Sequence, residues 1–164
     1  MQISEESVTL RPATPDDEAF LLQVYAGTRS DELSVSGWDD AQKQTFLAMQ
    51  FNAQSQQYSM CYPEAENSVV ILNGLQIGRF LVDRGGNDII LVDIALLPEF
   101  RKGGIGTSLI QSLLIEASSA QKNVRLHVLR WSAAARLYKR LGFTVIGDDG
   151  VYLEMRRVPD DLQS

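Results

Sequence analysis

The sequence predicts an α/β domain: a mostly antiparallel sheet of six to seven strands with about four helices packed on it. Three observations predict it. After one short strand-like segment come two helix-like segments, and a run of strand-like segments follows, broken by Asn73-Gly74 and by Arg84-Gly85-Gly86-Asn87. An apolar run from Asp88 to Leu97 stops at Pro98, passes a glycine-rich turn and enters an amphipathic segment. A second buried-type run, Val124 to Leu129, comes next. A strand–helix–strand unit of this kind gives one parallel step by a right-handed crossover.

Taken in order, Val8-Thr9-Leu10-Arg11-Pro12 reads as a short strand ended by proline. Thr14-Pro15-Asp16-Asp17 supplies N-cap chemistry and acids for a first turn. The helix it opens carries Phe20, Leu21, Val24 and Tyr25 on one stripe and is expected to end near Gly27, with a loop from Thr28 to Gly37. Asp39-Asp40 opens a second helix through Phe46, Leu47 and Phe51, whose tail from Asn52 to Tyr58 is too polar to set its end. Ser68–Leu72 and Ile77–Asp83 form a hairpin, and Asp88–Leu97, nearly all apolar, reads as a strand covered on both faces. Ile105, Leu109, Ile110, Leu113, Leu114 and Ala117 recur at helical spacing. Ser132 to Leu141 is a short helix stopped by Gly142, and Phe143–Ile146 with Val151–Met155 closes the sheet as a hairpin. A disordered tail is expected after Arg157.

The chain has 164 residues, suited to one domain with a core over about residues 8–157 and flexible ends. Its net charge of -6 argues against general affinity for nucleic acid or an anionic membrane, which need clustered positive charge. A lone cysteine, Cys61, excludes an internal disulfide, and a lone histidine, His127, leaves no Cys/His cluster, so no metal site is expected. The polar, acidic Met1–Glu6 segment has no apolar h-region, and no run approaches the ~18 residues of a membrane span. A cytoplasmic domain is the expectation.

The stretch around which the chemistry gathers is Asp93 to Thr107. Glycines let backbone pass close to a ligand, and the first N–H groups of a helix favour an anion. Arg101-Lys102-Gly103-Gly104-Ile105-Gly106-Thr107 therefore reads as a pyrophosphate cradle, with Arg101 and Lys102 adding charge. It is not a P-loop, which needs a lysine before its hydroxyl residue, nor a Gly-x-Gly-x-x-Gly fingerprint, since Leu109 stands at the third glycine. Taken alone, Arg101-x-x-Gly104-x-Gly106 also fits a tight strand-to-helix turn.

Ile94-x-Leu96-x-Pro98-x-Phe100-Arg101-Lys102-Gly103-Gly104-Ile105-Gly106, followed by Ala134-x-x-Leu137-Tyr138-x-x-Leu141-Gly142-Phe143, resembles the GNAT superfamily of N-acetyltransferases. The order of elements agrees over roughly residues 8–157. The resemblance implies a transferase using acetyl-CoA as co-substrate, with an amine acceptor that is a small molecule or a protein amine. It implies that the Arg101–Thr107 loop holds the CoA pyrophosphate and that the strand edge at Ile94, Ala95 and Leu96 hydrogen-bonds the pantetheine. It implies further that the sheet splays between the strands ending at Leu97 and beginning at Val124. It leaves a homodimer open.

The implied reaction is direct attack of a neutral amine on the thioester. Tyr138 matches the family's acid, a phenol that donates to the leaving sulfur; on spacing alone it reads rather as the edge of an apolar helix stripe with Leu137 and Leu141. Asp93 interrupts an apolar strand where several members place a base; pairing with Arg79, or an exposed strand position, are the alternatives. Asp88 and Glu99 are weaker candidates, and His127 reads as a packed, hydrogen-bonded side chain. Trp131 stands where many members have an asparagine contacting pantetheine, so it either packs on the cofactor arm or shields the core, with Ser132 beside it as contact or N-cap. Tyr25, Arg29 and Trp38 lie where the family builds its acceptor site. Asp31 and Glu32 could attract a cationic amine, although a solvated loop is the better explanation of them. The departure at Trp131 and the unassigned base also motivate a second reading, a non-catalytic CoA-binding or sensor domain of the same fold.

Overall fold

The computed structural model describes residues 8–160; of the expected flexible ends, residues 1–7 and 161–164 lie outside them. The strands are β1 (Val8–Pro12), β2 (Glu66–Leu72), β3 (Leu75–Asp83), β4 (Ile89–Leu96), β5 (Val124–Leu129), β6 (Thr144–Asp148) and β7 (Tyr152–Arg157). The helices are α1 (Glu18–Ser34), α2 (Asp40–Cys61), α3 (Ile105–Ser119) and α4 (Ala133–Arg140). The strands form one seven-stranded sheet in the order β1-β2-β3-β4-β5-β7-β6. β1–β2, β5–β7 and β6–β7 are antiparallel, and β4–β5 is the expected parallel step. Among the described residues no helix is long and apolar enough to cross a membrane.

Contacts gather into two compact units. One holds the described residues up to Leu81 together with Asp93–Gly106. Its core sets Val24 and Leu21 of α1 and Leu47 and Phe51 of α2 among buried Val69, Val70, Ile77 and Phe80 of β2 and β3. The hairpin between those strands turns through Asn73 and Gly74, both at positive φ (50° and 84°), as a primed two-residue turn requires. Thr14 and Asp17 form a capping box around a 3₁₀ turn ahead of α1. Asp17 also accepts two bonds from Arg11, at 2.7 and 2.8 Å, which tie β1 to that turn.

The other unit holds Val82–Val92 and the described residues from Thr107 onward. Ile110, Leu113, Leu114 and Ala117 of α3 are buried, as are Val124 and Leu126 of β5 and Leu153 and Met155 of β7. The start of the tail is anchored rather than loose: Asp160 N–H donates to Ser118 Oγ (2.9 Å) and Arg157 donates to Asp160 (2.8 Å).

Two sequence expectations, the end of α1 and the even cover of β4, are corrected, and the open end of α2 is now placed. α1 runs through Gly27 to Ser34, so Thr28–Ser34 is helix, and the exposed Asp31 and Glu32 stand on it. Gly27 marks a close approach, not a stop: a Cβ there would lie 3.0 Å from Pro98 Cδ. α2 continues to Cys61, its start fixed by the Asp39/Gln42 capping box, although Leu47 and Phe51 alone of its residues are buried. β4 is not covered evenly, since Ile89, Leu91 and Leu96 are buried while Ile90 and Val92–Ala95 are half-buried.

Candidate active site

The apolar run of β4 ends at a 3₁₀ turn, Pro98–Phe100, and the glycine loop follows. Arg101 N–H still has a backbone acceptor, Pro98 O at 3.2 Å. Beyond it the chain enters left-handed backbone at Lys102 (φ 65°) and Gly104 (φ 84°) and then starts α3 at Ile105. The first turn of a helix has N–H groups with no intrahelical acceptor and the positive end of its dipole, which suits an anion. A Cβ added at Gly103 or Gly104 would meet nothing within 4 Å, and one at Gly106 only Leu96 Cδ1 at 4.0 Å. Gly104 is required by its φ; at Gly103 and Gly106 the missing side chains leave clear space over the loop. These residues therefore fit a phosphate-bearing group.

The charges expected beside the loop differ in role. Lys102 is exposed. Arg101 donates from Nε to Leu96 O (3.0 Å) and reaches toward Gly27, so it braces the end of β4 against α1.

β4 and β5 register in parallel at Ile89↔Val124 and Ile90↔Arg125, the first two residues of each strand. The backbone of Ile94, Ala95 and Leu96 lies outside that register. A constraint that the sequence reading missed holds this part of β4. A Cβ on Gly78 of β3 would collide with Ala95 O and lie 2.7 Å from Leu96 Cδ2. Gly78 lets β3 lie against β4 there, and a glycine inside the strand-like run Ile77–Asp83 was the available signal.

Asp93 borders a cavity of about 50 Å³ with Leu21, Val24, Tyr25, Thr28, Gln54, Arg79 and Ala95. Arg79 Nη1 lies 3.7 Å from Asp93 Oδ2, an ion pair too long for a hydrogen bond. Burial pushes the Asp93 carboxyl above its ordinary range, while Arg79 and the Ile94 N–H pull the other way. The Arg79 alternative thus describes a real pairing, though a loose one. Gln54 Oε1 is buried with no hydrogen-bond partner. A space of this size with several polar walls can hold water. Tyr25 accepts a bond from Arg29 Nη1 (2.6 Å), and Arg29 also pairs with Glu32 at 2.9 Å.

A larger cavity of about 410 Å³ shares Leu21 and Arg79 with the first. Phe51, Tyr58, Tyr62 and Asn67 are among its walls. Arg79 Nε donates to Asn67 Oδ1 (3.1 Å) and the guanidinium lies over the Tyr58 ring, 5.6 Å from its centroid. Trp38 is elsewhere: it packs edge-on to Phe46 at 5.2 Å and lines an apolar groove with Ala41, Gln42, Thr45 and Met49. Tyr25 is thus beside Asp93 and Trp38 is not.

Within the second unit, Ser132 caps α4, accepting from Ala135 N–H (3.1 Å) and donating to Leu129 O (2.7 Å). Tyr138 is buried (6% exposed) with its ring 5.4 Å from Phe143. Trp131 is 82% exposed, with Arg130 4.8 Å over its ring, so it does not shield the core. His127 is exposed, not packed, and donates to Glu154 of β7 (3.0 Å). Asp88 pairs with Arg125 at 2.8 Å, and Glu99 is exposed.

This architecture has known counterparts. A PaiA N-acetyltransferase from Thermoplasma acidophilum, solved in complex with coenzyme A, matches with a TM-score of 0.68 at 18% identity, over 93% of this chain and 99% of that one. A GNAT family acetyltransferase from Elizabethkingia anophelis with acetyl-CoA bound matches with a TM-score of 0.59 at 16% identity, over 94% and 99%. A structure from Corynebacterium glutamicum described as histone acetyltransferase HPA2 and related acetyltransferase matches with a TM-score of 0.65 at 22% identity, over 96% and 99%. These similarities establish the fold. The family model for the acetyltransferase (GNAT) domain matches residues 64–145, half of the 164-residue chain and including the glycine loop and α4. The chain belongs to the GNAT acetyltransferase family.

Proposed function

We propose that this chain is an acetyl-CoA-dependent N-acetyltransferase acting on a primary amine. The observation that carries the reading is the loop at the head of α3, where left-handed backbone at Lys102 and Gly104 and clear space at Gly103 leave room for a pyrophosphate on a helix N-terminus. Lys102, Gly103, Gly104, Ile105, Gly106 and Thr107 would hold it. The backbone of Ile94, Ala95 and Leu96 would pair with the pantetheine amides, and Ser132 and Trp131 would lie along the cofactor arm. Acetyl-CoA supplies an activated thioester acyl group.

The residues then divide the proton work. An attacking amine must be neutral, and Asp93, a raised carboxyl beside a polar cavity, would take its proton directly or through water. A new C–N bond forms as the C–S bond breaks, and the departing thiolate takes a proton from the Tyr138 phenol. A phenol O–H is a hydrogen-bond donor and proton source suited to that step. The α1–α2 face, where Tyr25 and Arg29 stand, supports acceptor binding beside Asp93.

The test is thiol release from acetyl-CoA with a panel of polyamines, amino acids and peptides. Turnover with at least one amine is expected, and Tyr138→Phe should lower kcat about 10²-fold or more with KM little changed. Full turnover by Tyr138→Phe when chemistry limits the rate overturns the acid assignment. Tight acetyl-CoA binding without transfer to any amine would instead mark a CoA-binding module.

A further inference from the structure

We propose that the acceptor amine carries a carboxylate, and that Arg79, at the wall of the cavity bounded by α1, α2, β2 and β3, is its anchor; the inference rests on the acetyl-transfer reading above.

Arg79 is 7% exposed, one of few charged side chains buried among the described residues. A guanidinium offers five N–H donors in a planar fork. Here Nε is engaged by Asn67 Oδ1 at 3.1 Å, while the nearest carboxylate oxygen, on Asp93, stands at 3.7 Å. Among the described residues the amino groups of the fork have no acceptor within hydrogen-bond distance. These amino groups are not among the sealed, partnerless atoms of the described residues, so they are open to a ligand, and a bound carboxylate would give them charge-assisted hydrogen bonds. Arg11, by contrast, shows the saturated arrangement, with two bonds of 2.7 and 2.8 Å to Asp17.

The space beside Arg79 is large enough for a small ligand. The cavity measures about 410 Å³; Phe51, Tyr58, Tyr62 and Pro63 give it apolar walls, and Thr14, Glu18, Ser55 and Asn67 give it polar ones. A planar carboxylate matches the fork in two parallel hydrogen bonds, as an ammonium or hydroxyl does not. Arg79 borders the Asp93 cavity as well. The loose pair is thus two opposite charges held side by side, each with bonding capacity left. An α-amino acid carries its ammonium and carboxylate on one carbon, in the complementary arrangement. The carboxylate would bind Arg79 while the amine faces Asp93. A free amino acid, or a close analogue with both groups, is the ligand class.

The experiment uses the unmodified chain. Thiol release from acetyl-CoA is measured with free amino acids, each paired with its own carboxamide and compared at equal concentration of neutral amine. A preference for the acid in kcat/KM of at least tenfold, and of order 10²-fold for a site built around the missing group, is expected. Arg79→Gln should remove most of that preference. Equal rates with acid and amide overturn the anchor, while the transfer they report leaves the acetyl-transfer reading intact. If no amine accepts the acetyl group, that reading fails by itself, and thermal unfolding with the same pairs decides the anchor. A shift with the acid and none with the amide supports it; equal shifts, or none, overturn it.

Discussion

Asp93 and Asp17 are two carboxyls pushed in opposite directions by their neighbours. Burial raises Asp93 above the ordinary range near 4, and Arg79 only partly offsets it. If Asp93 is the base, the active form is the ionised one, so kcat/KM rises as pH climbs through the raised value. Its acid limb should therefore lie above the usual carboxylate range. Asp93→Asn should abolish that limb and lower kcat by about 10²–10⁴-fold, readable in a pH–rate profile. A profile unchanged by the substitution would remove Asp93 from the chemistry. Asp17 is held well below its ordinary range, first by the Arg11 hydrogen bonds and then by the Thr14 N–H. A depressed pKa contributes stability that is present above the unfolded value near 4 and is lost as pH falls through the folded one. The urea midpoint of Asp17→Asn should thus be lower than that of the unmodified chain at pH 7, and the gap should close on acidification. At this scale the sequence showed Asp93 as a lone acid in an apolar strand and Arg79 as its available partner. It could not show that the partner stands at 3.7 Å, because the separation of two side chains on neighbouring strands depends on register and rotamer.

Elements are where glycine speaks most clearly and is most easily misread. Gly74, Gly104 and Gly142 sit at positive φ where turn, loop and helix end were expected. Gly27 sent the same local signal, yet its reason is Pro98, more than seventy residues away in sequence, and no local pattern contains that contact. Gly78 is the strongest case, since its missing Cβ makes room for the Ala95 carbonyl on the strand that leads to the glycine loop. Gly78→Val should destabilise the chain by about 1–3 kcal/mol through overpacking and should weaken acetyl-CoA binding by displacing Ala95 and Leu96. Denaturant unfolding and a binding titration check the two effects. Undiminished stability would mean that β3 and β4 separate freely there. The polar tail of α2 failed for a related reason: it is helical to Cys61 with few buried positions, so hydrophobic periodicity carries no signal of its end.

At the scale of the whole molecule, the order of strands and helices was legible from end to end. The parallel step between β4 and β5 followed from a strand–helix–strand spacing alone. The paired motifs around Gly104 and Tyr138 carried the family, which a match over residues 64–145 bears out. The cavity proposed for the acceptor was not legible, because its walls bring together residues far apart in sequence, such as Glu18, Tyr58 and Arg79. The central claim is that the loop from Arg101 to Thr107 holds the pyrophosphate of acetyl-CoA. Thermal unfolding across an acetyl-CoA titration tests it most directly, on the unmodified chain and on Gly104→Asp, which places a carboxylate and a strained φ in the cradle. Stabilisation of about 2.7 kcal/mol at free acetyl-CoA 100 times Kd is predicted for the unmodified chain, with none for the variant at the same concentration. No shift of the unmodified chain at millimolar acetyl-CoA, or an equal shift in both chains, would contradict it.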